Sequence, residues 1–201
     1  MSRIRSWAPA VVVILMLAIA SMATAESDSG ANLRQLAKDL QTGMDTLKTN
    51  LASFDTAGSA PTTGTENVEG VPLKVTRYKD KDGNTLKVYT DASDIVVQKK
   101  LISSNNGPVL AIEYNPDGSI AKETIFEPIG LKTETIVYNS DGTKTITVVD
   151  ASLKEDNTLT YKVDSNGVEI PGSATITTSP GLPEGYVYCQ NTGQYQEASP
   201  A

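Results

Sequence analysis

The chain has no histidine and a single cysteine, Cys189, among its 201 residues. Without imidazole there is no Ser-His-Asp triad, no histidine general base and no His-ligated zinc or copper centre. A single thiol forms no intramolecular disulfide and no thiolate cluster. In an exported chain such a thiol is a buried inert group, an intermolecular bridge or a reactive site. Aromatic side chains are also scarce. The one Trp, Trp7, stands near the start, and Phe54 and Phe126 are the two Phe beside eight Tyr. Many strand positions carry Thr instead. A large dry core is hard to build from this supply, so a thin, extended or partly open sheet fits better than a compact sandwich. No apolar run reaches the roughly 20 residues that a transmembrane helix needs.

The run that comes nearest, residues 8–20, follows Arg3 and Arg5 and leads to Ala23-Thr24-Ala25. A short basic segment, a short apolar segment and a small-x-small site together read as a cleavable signal peptide over residues 1–25, with Glu26 opening the mature chain. No Cys stands near the site, which closes the lipoprotein route. The expected location is the periplasm or the extracellular space. The signal removes two Arg and no acid, so 15 basic residues face 24 acidic ones in the mature protein. Such an acidic surface repels phosphate backbones, and nucleic acid is not an expected partner.

Residues 26–55 read as one long amphipathic helix. Leu33, Leu40, Leu47 and Phe54 recur every seven positions, and Leu36, Ala37, Met44 and Leu51 widen the stripe. Ser27, Asp28 or Ser29 suits its N-cap. Gly43 weakens its middle by about 1 kcal/mol relative to Ala. The stripe over residues 31–54 either packs on the protein's own sheet or joins a protein partner or a second copy as a coiled coil. Residues 56–70, rich in Gly, Ser, Thr and Pro, read as a linker.

Residues 71–178 read as an antiparallel β-meander, which makes the fold mainly β, with about 8–10 strands behind one helix. Runs such as 109–114 and 134–138 are rich in β-branched and aromatic residues. Between the runs stand Asp82-Gly83, Asn106-Gly107, Asp117-Gly118, Asp141-Gly142 and Asn166-Gly167, pairs that supply the positive φ angles of tight hairpins. Asp82-Gly83 and Asp91-Ala92-Ser93 recur 59 residues later as Asp141-Gly142 and Asp150-Ala151-Ser152. Two readings stand: a duplication, 71–130 and 131–178, or hairpins of similar length. Residues 179–201 read as a mostly irregular tail, with a short strand near Cys189.

Tyr114-Asn-Pro-Asp-Gly118 and Tyr138-Asn-Ser-Asp-Gly142 resemble the Tyr-x-x-Asp-Gly hairpins of YD-type (RHS) repeats and the related short β-hairpin repeats of bacterial envelope proteins. That resemblance implies an extended sheet serving as a shell or binding surface rather than a catalyst. A signal, one long helix and a many-stranded sheet also look like the half-barrel lipoprotein carriers of the periplasm, which hold acyl chains.

Candidate chemistry is sparse. Ser119 and Lys122 match the S-x-x-K string of penicillin-recognising enzymes, but that string needs a helix, and this one enters a strand. Asp80 and Asp82, with Asp91 at the twelfth position, resemble a calcium loop. Thr85, however, stands where that loop needs Gly, and a solvated hairpin turn fits better. Glycoside hydrolysis by two carboxylates needs a pair that 24 acids do not single out. No residue is nominated as catalytic, cofactor-binding or metal-ligating, and no cofactor is expected. The expectation is an exported cell-envelope protein with a structural or partner-binding module and no catalysis; the alternative is a periplasmic carrier of a lipid or other apolar ligand.

Overall fold

The computed structural model describes residues 27–56, 60–104, 107–127 and 131–179, and the backbone of Tyr186–Cys189 and Gln194–Glu197. The segment read as a signal peptide, 1–25, the Asn106 half of one turn pair and the Cys189 side chain lie outside the described residues.

Helix α1 spans Asp28–Ala52, about 37 Å at 1.5 Å per residue. Ser27 caps it: the Ser27 hydroxyl accepts from the Gly30 N–H at 3.2 Å, satisfying one of the orphan donors of the first turn. The stripe read from the sequence is buried at Leu33, Ala37, Leu40, Met44 and Leu47. It faces the protein's own sheet.

That sheet holds ten strands in strictly sequential order: β1 Thr62–Val68, β2 Val71–Lys79, β3 Thr85–Thr90, β4 Val96–Ile102, β5 Val109–Tyr114, β6 Ile120–Phe126, β7 Lys132–Tyr138, β8 Lys144–Asp150, β9 Thr158–Val163 and β10 Thr175–Thr177. Every neighbouring pair is antiparallel. The mainly β meander with one preceding helix is therefore the fold. β1 falls inside the segment that composition reads as a linker. Its Thr and Gly residues pair residue for residue with β2, from Thr62 opposite Arg77 to Val68 opposite Val71. Two further strands, β11 Tyr186–Cys189 and β12 Gln194–Glu197, pair as a hairpin within the segment read as an irregular tail.

The turn pairs explain the meander's regularity. Gly83, Gly118, Gly142 and Gly167 all have φ near +83°, the left-handed region that a Cβ disfavours. Each glycine N–H donates to the carbonyl three residues back, as from Gly118 to Asn115 at 2.9 Å. Each of these loops is thus a tight turn closed by a left-handed glycine. The Gly107 N–H also donates to the carbonyl three residues back, Ser104, at 3.1 Å.

Register divides the sheet into two faces. The face under α1 carries Leu101, Leu110, Ile112, Ile125, Ile136, Ile146 and Val148, which pack with Ala37, Leu40, Met44 and Leu47 into one core. The opposite face carries a smaller cluster of Leu73, Val75 and Tyr89. It also carries a row of threonines in register across β6 to β10, Thr124, Thr135, Thr147, Thr160 and Thr175. Two pairs in that row are in hydroxyl contact at 3.3 Å. Cross-strand Thr pairs stabilise a sheet that has few aromatic residues to pair. Among the described residues no helix is long and apolar enough to cross a membrane.

Candidate functional site

Beside its apolar stripe, α1 carries a second, polar stripe of Arg34, Lys38, Gln41, Asp45 and Lys48, spaced by three or four residues and so aligned along one side. The sheet below that side is not wholly apolar. Glu123 of β6 and Glu134 of β7 share the phase of Ile125 and Ile136, so both carboxylates point to the α1 side of the sheet. The register sets Glu123 opposite Ile136 and Glu134 opposite Ile125, which makes the two acids diagonal neighbours. Diagonal pairs stand about 7–8 Å apart at their backbones, within reach of long side chains.

The polar stripe, the two acids, Tyr138, Lys144 and Tyr161 line a groove of about 720 Å³. Ile136, Ile146 and Val163 supply its apolar wall. One end is clamped: Arg34 donates to both carboxylate oxygens of Glu169, at 2.6 and 3.0 Å. The Arg34 guanidinium also lies 5.6 Å from the centre of the Tyr161 ring. This fork ties the first turns of α1 to the residues after β9 with the planar geometry that makes such pairs specific.

Glu123 and Glu134 are each 1% exposed, yet they are held very differently. Glu123 Oε2 accepts from Lys48 Nζ at 2.6 Å and from the Tyr138 hydroxyl at 2.9 Å. Its other oxygen, Oε1, has no hydrogen-bond partner. Burial, and then the adjoining Glu123 carboxylate, push the Tyr138 hydroxyl well above the ordinary tyrosine range. Glu134 Oε2 is likewise buried without a partner. Burial is the main reason its carboxyl is pushed up to about 7, with Asp45 and Glu123 adding to the rise and Lys48 opposing it. A carboxyl so placed is largely protonated in mild acid and charged in mild base.

A second charged cluster lies on the opposite face. Glu66 accepts from Arg77 at 2.7 Å, Lys87 at 3.0 Å and the Tyr89 hydroxyl at 2.7 Å. Burial alone would raise this carboxyl, but these three donors outweigh it and hold it at about 2. Glu66 is thus a satisfied structural acid that ties the edge strand β1 across β2 to β3.

The residues weighed from the sequence do not assemble. The Asp80 carboxylate accepts from the Asp82 and Asn84 N–H groups of its own turn, at 2.9 and 2.8 Å. The six residues of β3 separate that turn from Asp91, about 20 Å at 3.3 Å per residue. No group of three or more metal-ligating side chains occurs among the described residues. Ser119 bonds to Asp117 within its hairpin turn, whereas Lys122 pairs with Glu113 on the face away from α1. Sequence reasoning missed Glu123 and Glu134. The available signal was phase: each acid precedes an isoleucine by two positions in a strand, where alternation calls for an apolar residue. Compared with known protein families and with curated protein sequences, the chain gives no match.

Proposed function

We propose that this chain is an exported, non-catalytic binding protein of the cell envelope whose groove beside α1 takes a small polar ligand. The observation that carries the reading is Glu134, a buried groove-lining carboxylate whose Oε2 has no hydrogen-bond partner. Burying a charge without donors is costly, and such groups concentrate at functional sites rather than in structural cores. The groove's volume also lies within the range of small-molecule sites.

A polar ligand suits the lining better than a lipid. The apolar face of the sheet is already filled by Leu40, Met44 and Leu47 of α1, and what flanks the helix is charged. The same packing disfavours self-association through the 31–54 stripe, which faces the sheet. Export rests on the residue 1–25 pattern, and an envelope setting on the Tyr-x-x-Asp-Gly hairpins. Intact-mass analysis of the protein from its host tests export: a mature chain beginning at Glu26 is expected, and a full-length mass outside the cytoplasm would contradict cleavage.

The binding test is a thermal-shift screen of polar small molecules against wild type and Glu134→Gln. Compounds that stabilise wild type are expected to lose most of their effect on the variant. Compounds that stabilise both equally would place binding elsewhere, and an absence of any stabilising compound would contradict the reading. One observation favours a second reading, acid–base hydrolysis: the groove holds two carboxyls in unlike environments. Against it, Lys48 and Tyr138 already occupy Glu123 Oε2. Turnover of chromogenic glycosides that Glu134→Gln abolishes would overturn the non-catalytic reading.

A further inference from the structure

Resting on the groove reading, we propose that the ligand presents a primary ammonium group, seated between Glu134 Oε2 and Glu123 Oε1, on a carbon chain whose far end is not a second cation. With Glu134 ionised, the two unpartnered oxygens are acceptors only, while a primary ammonium carries three donors and no acceptor. A hydroxyl or amide ligand would bring acceptors of its own into a floor that offers few donors. The diagonal placement of the two acids lets one compact head meet both.

The charges around the head support a monocation. Asp45 and Lys48 face Glu134 from α1, Glu123 faces it from β6, and the Tyr161 ring adjoins it from β9. Three carboxylates against one ammonium leave this end of the groove short of positive charge, and Lys48 is already taken by Glu123. A bare metal ion would need more oxygen ligands than the site provides.

The rest of the groove has the opposite character. Lys38 and Lys144 line it without a carboxylate partner among the described residues, and Lys144 instead lies 5.1 Å from the centre of the Tyr138 ring. Lys38 is two turns of α1 before Asp45, about 10 Å along the helix. A chain running along Ile136 and Ile146 would carry its far end toward these lysines, where a second cation is repelled and a neutral or anionic group is accepted.

Proton linkage gives a second signature. With Glu134 at about 7, an ammonium competes with a proton for the same carboxylate, so binding strengthens as pH rises to about 8 and then levels off.

The test is isothermal calorimetry of the mature protein with 6-aminohexanoate, n-hexylamine, 1,6-diaminohexane and 1-hexanol. At pH 8 the two monoamines are expected to bind, the diamine more weakly and the alcohol not measurably. Lowering the pH to 6 should weaken the monoamines about tenfold. Glu134→Gln, checked as folded by its melting profile, should weaken them at least tenfold and remove the pH dependence. Binding of 1-hexanol as tight as that of hexylamine, amine binding unchanged in Glu134→Gln, or no amine binding at all would overturn the ammonium proposal. The groove reading fails separately, if the polar-compound screen yields nothing that depends on Glu134.

Discussion

Two glutamates one strand apart show how placement, not residue type, sets chemistry. Glu123 and Glu134 are equally buried, yet only Glu123 has Lys48 and Tyr138 as donors. An ion pair with one partner at the surface and the other inside is sensitive to loss of the cation, because the stranded charge stays buried. Lys48→Met should therefore cost about 3–5 kcal/mol in urea denaturation. Adding Glu123→Gln to that variant should recover more than half, since a neutral amide needs no counter-charge. If the double variant were no more stable than Lys48→Met alone, the loss would belong to packing rather than to the stranded carboxylate. The opposite-face acid, Glu66, with its three donors, shows what a well-partnered, partly buried carboxylate looks like in the same sheet.

At the scale of elements, the approach of α1 to β6 turns on Gly43. A Cβ there would stand 3.1 Å from Ile125 Cδ1, tighter than ordinary contact. The glycine that costs the helix propensity is thus what lets the helix lie close to the strand that carries Glu123. Gly43→Ala should gain little or nothing in the wild-type chain. In an Ile125→Val background, where Cδ1 is gone, it should stabilise by about 0.5–1 kcal/mol. Equal effects in both backgrounds would show that the close approach is not what holds the glycine.

The same elements show what could be read from the residues alone. The helix was legible because Leu33, Leu40 and Leu47 keep a helical period that local composition does not obscure. Its start was legible to within three residues, Ser27, Asp28 or Ser29, and Ser27 is the cap. The hairpins were legible where an Asp-Gly or Asn-Gly pair places a glycine at positive φ. β1 was not, because its Thr, Gly and Asn residues have loop composition; its order comes from pairing with β2 and from the Glu66 bonds to Arg77, Lys87 and Tyr89. The groove was not legible either. Glu123 and Glu134 belong to different strands, and only the register of β6 on β7 and the crossing of α1 bring them to one floor.

For the molecule as a whole, the absence of histidine has a thermodynamic consequence. Between pH 5 and 8 a histidine-free protein has few groups left to titrate. Glu66, held at about 2, affects stability only in acid, where it is lost as pH falls below 4.5. Glu134 acts in the opposite sense. Its folded value is raised from 4.5 to about 7, so the folded state holds this proton more tightly than the unfolded chain does. The stability it contributes is full below pH 4.5, declines as pH rises to about 7 and is absent above that, a change on the order of 3 kcal/mol. The most direct test of a desolvated carboxylate with an unpartnered oxygen at the floor of the groove is the free energy of unfolding from urea titrations between pH 4.5 and 8.5, for wild type and Glu134→Gln. Wild type should lose on the order of 3 kcal/mol across that range while the variant stays nearly level. Parallel curves for the two proteins would contradict the account.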